Sequence, residues 1–94
     1  MDVPVQFNPD LNRFEIQIDE AVAYLEYLDH RRTLALTHTF VPPPLRGKGL
    51  AGKLTRAALD FARKEGKNVD PQCSYAAAFM EQHPEYADLR EPKP

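Results

Sequence analysis

Arg46-Gly47-Lys48-Gly49-Leu50-Ala51-Gly52-Lys53 holds three of the chain's four glycines and falls where one hydrophobic period gives way to another. After it, Leu50, Leu54, Ala58, Phe61 and Ala62 recur at the spacing of one helix face through Glu65, and Gly66 is the expected left-handed stop. Before it, from Val5 to Val41, apolar positions alternate: Val5/Phe7, Phe14/Ile16/Ile18, Ala23/Leu25/Tyr27 and Leu34/Leu36/His38/Phe40. That alternation predicts four strands. Pro42-Pro43-Pro44 ends the last of them, because three residues without N–H groups cannot extend a ladder. The glycine-rich stretch is therefore a strand-to-helix loop.

The breaks between strands, Asn8-Pro9-Asp10-Leu11-Asn12, Asp19-Glu20 and Asp29-His30-Arg31-Arg32, are short and rich in turn formers, which suits an antiparallel meander. Beyond Gly66, Asn68-Val69-Asp70 reads as a short strand with Pro71 at its corner. Ser74 then reads as the cap of a second helix running from Tyr75 to about His83, with Ala76-Ala77-Ala78 inside and Pro84 just past its end. The expected fold is α+β: a mainly antiparallel sheet of about five strands with two helices after the fourth strand, the first packed on the sheet. Residues 1–94 form one domain, with a frayed tail over 90–94.

At 94 residues, folding buries only about 60–65% of the unfolded chain's surface, so modest stability is expected. Cys73 is the only cysteine, which rules out an intramolecular disulfide and a multi-cysteine zinc site; no metal is expected. No run of about 18 apolar residues exists, and Met1-Asp2-Val3-Pro4 lacks the start of a signal peptide, so the expectation is a cytoplasmic protein with no membrane partner. The net charge of −2 hides an asymmetry. From Leu45 to Lys67, seven basic residues face two acidic ones, a local charge of +5, while the rest of the chain carries −7. An anion is the expected partner of the basic segment.

Glycines let a backbone approach a ligand, and a helix start presents unpaired N–H groups at the positive end of the dipole, so this loop suits a phosphate or pyrophosphate. The plain alternative is a tight turn bearing solvated basic residues. Gly47-x4-Gly52-Lys53 nearly matches a Walker loop, yet Leu54 stands where the magnesium-holding Ser or Thr belongs. A dinucleotide fingerprint lacks its βαβ unit and ribose-binding acid. Arg46-Gly47-Lys48-Gly49-Leu50-Ala51 does fit every specified position of Arg/Gln-x-x-Gly-x-Gly/Ala, and so resembles the pyrophosphate signature of the GNAT acetyltransferase superfamily. Together with His38-Thr39-x-Val41-Pro42, Pro71-x-Cys73-Ser74-Tyr75 and His83-Pro84-Glu85-Tyr86, the chain from about Phe14 to Leu89 is similar to the short YjdJ-type branch of minimal GNAT domains.

The resemblance implies acetyl-coenzyme A in a gap where the fourth and fifth strands splay. The backbone of Phe40 and Val41 would bond the pantetheine arm. The N–H groups of Gly47, Lys48, Gly49, Leu50 and Ala51 would hold the pyrophosphate, with Arg46 and Lys48 adding attraction. The product would be an acetylated amine, on a small molecule or a protein. His38, alternating with Leu34, Leu36 and Phe40, is a candidate general base or else a structural histidine on an apolar face. Cys73, beside a helix start, is a candidate acetyl acceptor or proton donor to coenzyme A, or else a packed thiol. Tyr75 is the alternative proton donor. The helices that usually enclose the acceptor have no counterpart here, so the acceptor site is expected to be open or absent. A non-catalytic acyl-coenzyme-A or coenzyme-A-binding regulatory module would use the same loop. Nucleic acid is disfavoured, since Phe61, at a core position, is the basic segment's only aromatic residue.

Overall fold

The computed structural model describes residues 3–90. Strands β1 (Gln6–Asn8), β2 (Arg13–Ile18), β3 (Ala21–Asp29) and β4 (Thr33–Phe40) precede helix α1 (Leu50–Lys64), strand β5 (Asn68–Pro71) and helix α2 (Ser74–Gln82). Two 3₁₀ segments, Pro43–Leu45 and Pro84–Leu89, were not anticipated from the sequence. The five strands lie in chain order in one sheet; the first three pairings are antiparallel and β4 with β5 is parallel. That last pairing follows from α1, which carries the chain back along the sheet so that β5 enters in the direction of β4.

One face of the sheet supplies Phe14, Ile16, Ala23, Leu25, Tyr27, Leu34 and Leu36 to a core completed by Leu54, Ala58, Leu59 and Ala62 of α1 and by Ala76, Phe79 and Met80 of α2. At the far end of α1, Phe61 stacks on Phe7 of β1 at 5.0 Å and meets Phe14 edge-on at 5.7 Å, which pins the short edge strand to the helix. The Pro84–Leu89 segment buries Tyr86 and Leu89 beside α1. Tyr86 donates to Asp60 at 2.7 Å and accepts from Arg56 at 3.0 Å, while Arg63 grips Asp88 through its two terminal guanidinium nitrogens. Lys67 donates to Asp29 and to the Arg31 carbonyl. Arg56, Arg63 and Lys67 of the basic segment are thus engaged in holding the fold.

Strict alternation fails in β4. Glu26 pairs with His38, but Tyr27 pairs with Leu36, so Thr37 is an extra residue on β4, and its hydroxyl donates to the Glu26 carbonyl at 3.2 Å. Such a bulge reverses the phase of the strand beyond it. Leu34 and Leu36 face the helices, and past the bulge Thr39 does, opposite Leu25; His38 and Phe40 turn to the other face, opposite Glu26 and Tyr24. His38 therefore does not share a face with Leu34 and Leu36, as simple alternation had implied.

Two further expectations change. The cap of α2 is Cys73, not Ser74: the Cys73 carbonyl accepts from Ala77 at 3.0 Å, Ser74 is already helical, and no side chain caps the helix. Arg90, where fraying was expected to begin, forms a parallel bridge with Val69. Residues 91–94 of the expected frayed tail lie outside the described residues. Because Leu54 is fully buried between helix and sheet, Leu54→Ala is expected to cost about 2–5 kcal/mol in urea unfolding. A loss below about 1 kcal/mol would contradict that placement.

Candidate functional site

The Pro43–Leu45 turn anchors the loop by burying Leu45. Gly47 and Gly49 then take φ of 79° and 73°, in the left-handed region, and a Cβ built on either would meet nothing within 4 Å. Gly49 caps α1 and, having no side chain, makes no side-chain cap bond to the first turn's N–H groups. Val41, Leu45, Arg46, Gly47, Gly49, Leu50 and Ala51 line a depression of about 220 Å³ here. The residues present thus fit a pyrophosphate: open backbone donors at a positive helix end, with room in front of them.

Arg46 and Lys48 differ. The Arg46 Nε donates to the Val41 carbonyl at 3.0 Å, so this guanidinium ties the loop back to the end of β4 while remaining exposed. Lys48 instead lines a neighbouring depression of about 330 Å³ with Val3, Ile18, Leu50 and Lys53.

β4 and β5 pair from Thr33–Asn68 to Leu36–Pro71. One more link, from the Cys73 N–H to the Leu36 carbonyl at 2.9 Å, closes the pairing; from there the chain turns into α2 while β4 runs on to Phe40. The strands therefore part where the bulge lies, leaving the last residues of β4 without a neighbour from β5. Cys73 stands at this fork, half-buried, with Sγ 3.6 Å from the Thr39 Oγ1. Burial pushes its thiol up, but the Ala76 amide, the Thr39 hydroxyl and the Tyr75 and Thr39 amides outweigh it and bring the thiol below its ordinary value. Two residues on, the Tyr75 hydroxyl reaches across to Gly52 of α1, 3.4 Å from where a Cβ would sit.

The fork thus brings together Phe40 and Val41, the loop, Cys73 and Tyr75. His38 is near in sequence but lies on the opposite face of β4 from Thr39 and Cys73, on the face that no helix covers among the described residues. Its neighbour there is Tyr24, at 6.1 Å between rings, itself 5.6 Å from Phe40 and capped by the Arg13 guanidinium. Sequence reasoning missed Thr39 and Gly52. Thr39 stood inside the quoted His38-Thr39 motif, but without the bulge nothing marked it as facing the cysteine.

A mixed five-stranded sheet that opens between its fourth and fifth strands, beside a glycine-rich helix start, defines an acyltransferase-type fold of the GCN5 kind. The family model described as GCN5-related N-acetyl-transferase matches residues 13–89, and the chain belongs to that family. Protein NATD1 of Gallus gallus is 33% identical over 87 residues, spanning 86% of this chain and 78% of its own. Protein NATD1 of Homo sapiens is 32% identical over 87 residues, spanning 86% and 76%. A GCN5-like protein of Staphylococcus aureus, solved by NMR in solution, superposes with a TM-score of 0.75 at 26% identity, over 98% of this chain and 91% of that one.

The two glycines of α1's start respond oppositely to a methyl group. Gly49→Ala, forced to a φ of 73°, is expected to lose about 1 kcal/mol in thermal unfolding. Gly52→Ala gains about 0.5–1 kcal/mol of helix propensity, because the exposed Tyr75 ring end can yield to the new Cβ. Equal responses would contradict this geometry.

A second expectation concerns pH. With the Cys73 thiol lower in the folded than in the unfolded chain, its ionisation adds stability at alkaline pH, and the gain disappears as pH falls through the folded-state value. Alkylation by iodoacetamide should then reach half its maximal rate at a lower pH in the folded protein than in the same chain in urea. Coincident profiles would refute the shift.

Proposed function

We propose that the protein is an acetyl-coenzyme-A-dependent N-acetyltransferase. The observation that carries this is the fork between β4 and β5 facing an open, glycine-rich helix start, with Cys73 and Tyr75 at its apex. The N–H groups of Gly47 through Ala51 hold the pyrophosphate and Arg46 adds charge beside it. The unpaired end of β4, at Phe40 and Val41, bonds the pantetheine arm as an added strand would.

The bulge assigns sides. Cys73, Thr39 and Tyr75 lie on the helix face, with the cofactor's sulfur; His38 lies on the uncovered face, from which an amine has access. In the transfer, the amine nitrogen attacks the thioester carbonyl, a C–N bond forms and the C–S bond breaks. The amine loses one proton and the departing sulfur takes one up. His38, whose imidazole can accept a proton, suits the first task, and Tyr75, whose hydroxyl can give one, the second. Cys73, held toward thiolate, suits prior acceptance of the acetyl group: its sulfur attacks the same carbonyl, coenzyme A leaves as thiolate, and the amine then takes the acetyl from Cys73.

Titration calorimetry with acetyl-coenzyme A and coenzyme A is expected to show binding that Gly49→Trp abolishes while circular dichroism stays native. No binding to the wild-type protein would overturn the reading. Turnover on a panel of amines should fall about a hundredfold or more in His38→Ala and in Cys73→Ala, the lower end of what a positioned proton-transfer group contributes. Unchanged turnover in both would remove these roles, and binding with no turnover on any amine would establish the non-catalytic coenzyme-A-binding module in place of the enzyme.

A further inference from the structure

Thr39 reaches the cysteine only because of the extra residue before it. Had β4 continued in regular alternation from Leu34 and Leu36, Thr39 would face away from the helices; the bulge at Thr37 brings it onto the helix face opposite Leu25. There its Oγ1 lies 3.6 Å from the Cys73 Sγ, an ordinary length for a hydrogen bond to sulfur. Cys73 is thereby tied to β4 twice, on opposite sides of the bulge: its N–H donates to the Leu36 carbonyl at 2.9 Å and its sulfur meets Thr39. The first tie fixes where the backbone turns into α2. The second fixes where the side chain points.

We propose that Thr39 is a positioning residue for Cys73, its hydroxyl accepting from the thiol, turning to donate to the thiolate, and so holding the sulfur at the apex of the β4–β5 fork. The catalytic consequence rests on the acetyltransferase reading; the contact itself does not. A neutral thiol can donate to the hydroxyl, whereas a thiolate only accepts, so the Thr39 O–H reorients to favour the ionised form. The other groups acting on the sulfur are the Ala76 and Tyr75 amides of α2 and the Thr39 amide of β4; no charged side chain among the described residues is one of them. The hydroxyl is therefore the only side-chain contribution, and a substitution can remove it without altering the backbone.

Because the chain has one cysteine, alkylation reports this sulfur alone. The iodoacetamide reaction of full-length protein is followed by mass spectrometry from acid to alkaline pH for wild type, Thr39→Val and Thr39→Ser. Thr39→Val keeps the branched shape and removes the hydroxyl. Its profile should move to higher pH, with the rate at pH 7 falling about threefold as the thiolate loses a donor. Thr39→Ser restores the donor and should return the profile to that of wild type, which a merely structural role for Thr39 would not produce. Thr39→Ala replaces the valine variant if circular dichroism shows the latter unfolded. A valine or alanine profile that coincides with wild type overturns the proposal, as does a serine profile that stays with valine's. Acetyl-coenzyme A is absent from this assay, so a failure of cofactor binding would refute the acetyltransferase reading and leave the Thr39 result to be judged separately.

Discussion

Thr37, one residue more in β4 than its partner can match, is the constraint on which the site depends. Its hydroxyl bonds the Glu26 carbonyl and holds the mismatch in place, and every residue beyond it changes face. Without that change, His38 and Phe40 would pack under the helices and Thr39 would face solvent. With it, β4 becomes a partition: a sulfur and a hydroxyl on the side of α1 and α2, an imidazole and two aromatic rings on the uncovered side. The same place marks the end of pairing with β5, so the backbone is freed where the side chains are sorted. A sheet that must bury one face of every strand tolerates such a phase change only near an end or an edge, which is where bulges serve function.

The rest of the molecule steadies this fork. Leu54, Ala58 and Leu59 seat α1 on the sheet, which fixes the direction of its open N-terminus. The Pro84–Leu89 segment then braces α1 from the side through Tyr86, Asp60 and the two arginines. These contacts consume much of what looks, in the sequence, like a basic patch. Arg46 and Lys48 stay exposed at the loop, and on the proposed reading an anion there would meet their charge together with backbone amides and the helix dipole. That suits a ligand such as a pyrophosphate, which needs several convergent donors, better than an extended polyanion.

Much of the architecture was legible. The alternating runs gave four strands within a residue or two, the shift to helical spacing after Pro42-Pro43-Pro44 gave α1, and the glycines marked the loop because φ values near 75° exclude most other residues. The bulge was not legible, because Leu-Ala-Leu-Thr-His-Thr-Phe satisfies plain alternation and a phase change leaves no mark when the residues beyond it are a mixture of polar and aromatic types. So the sequence could bring His38 and Cys73 forward as candidates but could not show that β4 stands between them. Ser74 was the better cap by side-chain preference. The register of β5 decided otherwise, because the Cys73 N–H is bonded to Leu36 and the helix starts at the next residue. The final 3₁₀ segment, built on Pro84 and buried through Tyr86 and Leu89, has no periodic signal at its length.

The central claim is that coenzyme A enters the fork on the helix face of β4. The most direct test is the change in backbone amide NMR shifts when coenzyme A is titrated into the isotopically labelled protein. The account predicts that the largest changes cluster at Thr39–Val41, at 46–51 and at 73–76, with the opposite end of the sheet, around Asn12 and His30, unmoved. Changes centred on Tyr24 and Glu26 of the uncovered face, or none at saturating ligand, would contradict it.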